Sequence, residues 1–323
     1  MKPRLLSLLA CPECTSDLRL DAQTKDGPEI VEGSLACTKC NTRFPIRNGI
    51  PRFVPHDAYV DTFSFEWNRF RDVQIDIRNA TDESERSFRL ITGWAPGDLS
   101  GKTVLDVGVG AGRYAEVASR WGAEVVGVDL SFAVDAAYDT IGRRENVHIV
   151  QADLFRPPFR RETFDAVYSM GVLHHTPDTR KAFEAVTPLL KRGGDFAVFL
   201  YAHGHYCFFS DLWRKLTTRL PYRVIYWLAW LSIPVYPLYR IPGIGLCFRF
   251  LFPMSRHPKG RWRWLDTFDW YTPMYQHKHT WPEVHEWFLS GGFEDIRLSQ
   301  ADPDASLLNI YMRGRKRQGA GVE

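Results

Sequence analysis

The sequence has almost no net charge of either sign, few cysteines outside one segment, and no long unbroken apolar run. Its 41 Lys and Arg against 38 Asp and Glu leave a formal charge of +3 over 323 residues. A dedicated duplex-binding protein carries a basic patch or stripe, so nucleic acid is disfavoured as a partner. The most apolar stretch, between Arg223 and Arg240, is shorter than the roughly 20 residues a spanning helix needs and is interrupted by Pro234 and Pro237. Internal repeats and low-complexity tracts are absent too. Leu5 to Ala10, followed by Cys11, imitates a lipoprotein leader, but the run sits at or below the lower edge of the roughly 7–15 apolar residues of a secretory segment. A cytoplasmic chain is expected, membrane-peripheral at most. An apolar content of 45% with 24% charged residues is that of an ordinary globular chain, and 323 residues accommodate one small module and one larger domain.

Four of the six cysteines form two pairs, Cys11-Pro12-Glu13-Cys14 and Cys37-Thr38-Lys39-Cys40. Two such knuckles complete one tetrahedral set of thiolates, the pattern of a structural zinc site. Two disulfides would need an oxidising compartment that nothing else supports. A module of about 55 residues is too small to be stable by core burial alone, and the metal would supply the missing free energy. Cys207 and Cys247, isolated among apolar residues, read as core.

The expected fold class is α/β: a Rossmann-like, doubly wound, mostly parallel sheet with a small β-rich N-terminal zinc ribbon and an aromatic, apolar insertion. The boundaries read as a zinc ribbon at 1–55, a first catalytic part at 56–202, the insertion at 203–262, a last catalytic part at 263–314 and a flexible tail at 315–323. Turn formers punctuate the first segment, and one or two helices are expected over 57–97. From residue 103 apolar strands alternate with helices, which implies a parallel sheet with crossovers. Strands are expected at 104–107, 124–128, 147–150, 166–169, 196–200, 293–298 and 307–311, with helices at 179–190 and 281–289.

The run Val104-Leu105-Asp106-Val107-Gly108-Val109-Gly110-Ala111-Gly112-Arg113 is a buried strand entering a glycine bend and a helix. Such a bend lets backbone approach a ligand at the carboxyl end of the sheet. Asp129, followed by Leu130 at the end of the next strand, stands where a carboxylate accepts ribose hydroxyls. A dinucleotide and S-adenosylmethionine both remain possible on that evidence. Three features favour the second. Arg113 stands where a dinucleotide fingerprint has its third glycine. Asp106 would be a costly buried charge without a cationic or hydrogen-bonding partner. Asp153 and Leu154 offer a carboxylate and an apolar neighbour for adenine.

Together with Phe164 to His175, these residues resemble the class I methyltransferases, especially those acting on small molecules and lipids. The resemblance implies that Asp106 and Gly108 hold the methionyl part of the cofactor, Asp129 the ribose, Asp153 and Leu154 the adenine, that Met170 lines the pocket, and that Gly110, Gly112 and Leu130 belong to the same cofactor site. Val109 replaces a cysteine common in that family. Separately, Leu5 to Cys14, the second cysteine pair, Phe44-Pro45-Ile46 and Asn48-Gly49-Ile50-Pro51 resemble the small zinc-ribbon subunit that activates tRNA and protein methyltransferases, which implies a scaffolding or substrate-contact role.

Methyl transfer from a sulfonium mainly needs alignment and desolvation. If the acceptor is a hydroxyl, His175, His277, His279 and also His174 are candidate bases, and Tyr201 a candidate wall of the pocket. Each histidine has an equally ordinary structural reading. The insertion, with Trp and Tyr mixed among Arg, suits a membrane-interface segment, and equally a lid or an interface. A small-molecule acceptor, lipid-like or lipid-linked, is expected. RNA base methylation and a non-enzymatic zinc-ribbon adaptor are the alternatives. Oligomeric state is not legible.

Overall fold

The computed structural model describes residues 1–54, 61–203, 208–299 and 309–318. The first segment forms an antiparallel sheet of β1 (Leu18–Asp26), β2 (Glu29–Cys37), β3 (Arg43–Arg47) and β4 (Ile50–Pro51) in sequential order. The leader-like run at the start is part of its core, with Leu5, Leu8 and Leu9 buried.

The larger sheet contains β5 (Thr103–Val107), β6 (Glu124–Asp129), β7 (Val147–Gln151), β8 (Phe164–Met170), β9 (Leu190–Tyr201), β10 (Phe293–Leu298) and β11 (Asn309–Lys316), in the spatial order β10-β11-β9-β8-β5-β6-β7. β5 through β9 pair in parallel, while β11 runs antiparallel between β9 and β10. Near-continuous apolar runs such as Thr-Val-Leu-Asp-Val in β5 suit strands covered on both faces by crossover helices. After β7 the chain returns to the other side of β5, so the winding reverses between β5 and β8. A crevice at the carboxyl ends of strands opens at that point in doubly wound sheets.

Several expected boundaries shift for local reasons. The helix predicted over 179–190 stops at Val186 and tightens into a 3-10 turn around Pro188. The tail expected from 315 begins as strand: β11 extends to Lys316, whose ammonium donates to the Thr187 and Leu190 carbonyls at 3.1 and 2.7 Å. Cys247 is exposed rather than core, and Cys207 lies outside the described residues. The insertion boundary at 262 falls inside a helix, Gly260–Tyr271.

Ahead of that helix, the insertion folds into helices Phe208–Thr217, Tyr222–Trp230, Ser232–Val235 and Ile244–Leu251. Among the described residues, no helix is long and apolar enough to cross a membrane. Ile225, Tyr226, Ala229, Trp262, Leu265 and Phe268 pack with Phe70 and Val73 of the lead-in, so insertion and lead-in share one apolar cluster.

The small sheet docks on the β7 edge. Arg52 bridges to Gln151 in parallel, the Phe53 amide donates to the Gln151 carbonyl at 2.8 Å, and the Arg52 guanidinium reaches Gln151 Oε1 and Asp135 at 2.8 and 2.6 Å. Leu9 pairs with Phe159, and one apolar cluster runs from Leu5 and Cys11 into β5, β8 and β9.

Candidate active site

The bend after β5 is shaped by glycines at positive φ. Gly108 has φ +82°, and a Cβ there would stand 2.3 Å from Val172. Gly110 has φ +51°, and its Cβ would meet the Trp67 indole at 3.2 Å. Its amide donates to Asp129 Oδ2 at 3.0 Å, while Ser131 donates to Asp129 Oδ1 through its amide and hydroxyl at 2.9 and 2.7 Å. Burial raises the Asp129 carboxyl above its ordinary range, against the pull of these donors. Asp153, after β7, accepts the Phe155 amide at 2.9 Å.

These groups border one cavity of about 490 Å³ at the carboxyl ends of the strands. Gly108, Gly110, Asp129, Leu130, Asp153, Leu154, Met170, His175 and Tyr201 all line it, so nine of the residues singled out from sequence converge on one space. Asp106 and Gly112 do not line it. Asp106 lies beneath the bend with its register partner Tyr168, whose hydroxyl donates to it at 2.9 Å. Burial pushes Asp106 up to about 8, against the pull of the Tyr168 hydrogen bond. Gly112, at φ +91°, is needed for packing, because a Cβ would stand 2.8 Å from Ile141.

The histidines divide. His175 is buried and lines the cavity, and its Nδ1 lies 2.8 Å from the Tyr275 carbonyl. A carbonyl only accepts, so Nδ1 carries the hydrogen and Nε2 keeps its lone pair. Burial lowers this imidazole to about 4, so it is neutral at pH 7. His277 and His279 are not among the lining residues. The His277 amide ties to the His174 carbonyl at 2.9 Å, while the His279 imidazole meets Glu283 at 2.9 Å and packs on Trp287. His279 thereby braces the entry to helix Trp281–Ser290, while the His277 ring stacks on Tyr275. His174 is wholly buried against the Tyr201 ring, 4.1 Å between centroids, and burial depresses its basicity strongly.

Part of the wall was not foreseen. Helix Asp61–Arg69 contributes Phe63, Glu66 and Trp67, and helix Gly260–Tyr271 contributes Leu265, Asp266, Asp269 and Trp270. Spacings of three and four place each set on one helical face. That periodicity was present in the sequence, but without the fold it says only that a face is covered.

In the N-terminal module the four sulfurs of Cys11, Cys14, Cys37 and Cys40 lie within 4.8 Å of one another, with approaches of 3.7 Å for Cys11–Cys40 and 3.4 Å for Cys14–Cys37. Four thiolates on one zinc at ~2.3 Å would stand about 3.8 Å apart. The donor set therefore fits a single tetrahedral metal.

Residues 105–198 match the family model for a methyltransferase domain, and residues 2–49 that for a Trm112p-like protein. Among curated proteins, the chain is similar to Phosphoethanolamine N-methyltransferase 2 of Caenorhabditis elegans, 34% identical over 161 residues, 47% of this chain and 35% of that protein. It is also similar to the Ubiquinone biosynthesis O-methyltransferase of Alkalilimnicola ehrlichii, 33% over 152 residues, 43% of this chain and 57% of that one. A Sterol 24-C-methyltransferase of Gibberella zeae matches at 34% over 104 residues, 31% and 27% of the two chains. The chain thus spans from about a quarter to just over half the length of these relatives. Among solved structures, magnesium protoporphyrin IX methyltransferase from Synechocystis PCC 6803 superposes with a TM-score of 0.45 at 16% identity, covering 79% of this chain and 97% of that one. The bend, the carboxylates around it and the matched segments lead to one assignment: this chain carries a domain of the methyltransferase family behind a module of the Trm112p-like family.

Proposed function

We propose that this chain transfers a methyl group from S-adenosylmethionine to a small-molecule acceptor, and that the acceptor is lipid-like or lipid-linked. The observation that carries the reading is the convergence on one cavity of the glycine bend, Asp129 and Asp153 with Leu154. Gly108 and Gly110 let the backbone approach the methionyl part. Asp129 accepts from the ribose and Asp153 from the adenine amino group, while Leu130, Leu154 and Met170 pack around the nucleoside. Asp106 and Gly112 support the bend from behind.

Bound there, the sulfonium supplies the reactive methyl group. The chain's own work is alignment and exclusion of water, with Phe63 and Trp67 roofing the space above the bend. For a hydroxyl acceptor, His175 Nε2 has the free lone pair to take the proton, and Tyr201 borders the same space. The four cysteines would hold one structural zinc ion, because four sulfur ligands leave no open position for chemistry.

The insertion supports the lipid reading on its outer side. Trp227 and Trp230 are 64% and 40% exposed, beside exposed Leu228, Leu231, Ile241, Ile244 and Leu246. Residues 208–256 hold seven Lys or Arg against a single Asp. An apolar, aromatic surface on a segment with this excess of cations suits an anionic membrane interface, while other residues of the segment, Ser210 and Pro253, line the cavity. The relatives are named for N-, O- and C-methylation, so their names do not choose the acceptor atom.

The test is to incubate the full chain with methyl-labelled cofactor and a fractionated lysate. Label in the lipid extract is expected. Label only in RNA or protein would overturn the acceptor reading, and absence of calorimetric binding of S-adenosylhomocysteine would overturn methyl transfer itself.

A further inference from the structure

The chamber beyond the nucleoside groups holds three carboxylates that the methyl-transfer scheme above does not use. Glu66 comes from helix Asp61–Arg69, and Asp266 and Asp269 from helix Gly260–Tyr271. Glu66 is fully buried, borders the cavity, and neither carboxylate oxygen has a hydrogen-bond partner. An unpaired buried carboxylate costs several kcal/mol unless it is protonated or meets a donor. Asp266 is partly satisfied, by Ser255 Oγ at 2.9 Å and Gln74 at 3.4 Å. Asp269 has no hydrogen bond among the described residues.

The cations nearby are already committed. Arg214 donates to the carbonyls of Trp270 and Pro273 at 3.0 and 2.6 Å, Lys278 pairs with Asp211, and Arg113 donates to Ser84 at 3.0 Å while stacking on Tyr114 and Trp262. None of them neutralises Glu66 by contact. Aromatic rings surround the remaining space, with Phe63, Trp67, Trp270 and Tyr201 in the wall. Carboxylates and ring faces together select a cationic nitrogen. A multidentate metal is disfavoured, since the cysteine set is the one close grouping of three or more ligand residues among the described residues.

We infer that the acceptor carries a protonated amine, held by Glu66 with Asp269 and Asp266 behind it. This deepens the methyl-transfer reading and rests on it. In the step it implies, the ammonium gives one proton to a carboxylate of this group, which frees the nitrogen lone pair. The N–C bond then forms as the S–C bond breaks, its electron pair staying on sulfur. The product is a methylammonium and a neutral thioether, and the proton left on the carboxyl passes to solvent when the products leave, which restores the carboxylate.

The test uses the full chain saturated with S-adenosylhomocysteine and three probes of one shape: benzylamine, benzyl alcohol and benzoate. Calorimetric titration should show benzylamine binding about tenfold or more tightly than the other two, the discrimination of a charge-assisted pair. Glu66→Gln keeps the shape of the side chain and should abolish that preference, while affinity for S-adenosylhomocysteine stays within about twofold. Asp269→Asn serves as a second variant and should weaken benzylamine in the same direction. Equal binding of amine and alcohol, no binding of benzylamine, or an unchanged preference in Glu66→Gln would each overturn the inference. Loss of S-adenosylhomocysteine binding in the unmodified chain would instead bring down the underlying methyl-transfer reading.

Discussion

The Gly110 amide donates to Asp129 Oδ2 at 3.0 Å, tying the bend after β5 to the carboxylate that ends β6. One carboxylate thereby sets the shape of the bend and still borders the cavity that the bend helps to form. Asp129→Ala should remove both effects. Losing charge-assisted hydrogen bonds of this kind costs ~1.5–3 kcal/mol, so affinity for S-adenosylhomocysteine should fall roughly 10- to 150-fold by calorimetry. Affinity unchanged within experimental scatter would remove Asp129 from the site.

Gly108 is required sterically. At φ +82°, with Val172 2.3 Å from any added Cβ, Gly108→Ala combines backbone strain with a clash. A destabilisation of about 1–3 kcal/mol is expected in urea unfolding, with loss of cofactor binding. Adding Val172→Ala should recover the part due to the clash and leave the part due to φ. Full recovery by the double variant would show that the backbone angle costs nothing.

The cavity carboxyls make a pH prediction. Burial raises Asp266 to about 6 and Asp269 to about 7 in the folded chain. Between the ordinary carboxylate range near 4 and those values, the folded state holds more protons than the unfolded one. Their contribution to stability is therefore complete at low pH and is lost as pH rises to about 7. The melting temperature of Asp269→Asn, followed from pH 4 to 8 without ligand, should decline less steeply than that of the unmodified chain. Parallel profiles would mean that Asp269 ionises normally.

Metal removal should reach beyond the small module. Cys11 and Leu9 belong to the same apolar cluster as β5, β8 and β9, so loosening the cysteine cluster disturbs the larger sheet. Elemental analysis should find one zinc per chain. Cys14→Ser or prolonged chelation should lower the melting temperature of the whole chain, and an unaltered melting curve after verified removal would reject a structural metal.

The outer face of the insertion predicts salt-sensitive membrane binding. Arg219 and Arg223 are exposed at the start of helix Tyr222–Trp230 and just before it. At ~1 kcal/mol for each Arg near an anionic surface, Arg219→Gln with Arg223→Gln should weaken binding to phosphatidylserine-containing vesicles roughly thirtyfold. Trp227→Ala should weaken it at any salt concentration. Failure of the unmodified chain to float with such vesicles would count against the interface.

How much of this was legible beforehand depended on the range of the signal. The bend at 108–112 and the carboxylate ending β6 were readable because a strand, a glycine bend and a carboxylate at the next strand end are set by backbone geometry within about 30 residues. The cysteine knuckles were legible for the same reason: two thiols three positions apart turn toward one point whatever surrounds them. His277 and His279 lie outside the cavity lining, and a histidine near a strand end carries no mark of the side it faces. His279 is turned away by Glu283 and Trp287, and only packing could decide that.

Periodicity and the short reach of a few bonds made the alternation of strands and crossovers, the glycine bend and the two cysteine knuckles readable from the residues alone. Only packing brought Glu66 to the same cavity as Asp266 and Asp269, about 200 positions later, and set the Tyr168 hydroxyl against Asp106. Contacts of that kind depend on how helices stack across a sheet, and a buried carboxylate acquires its chemistry from whatever the folded chain brings beside it.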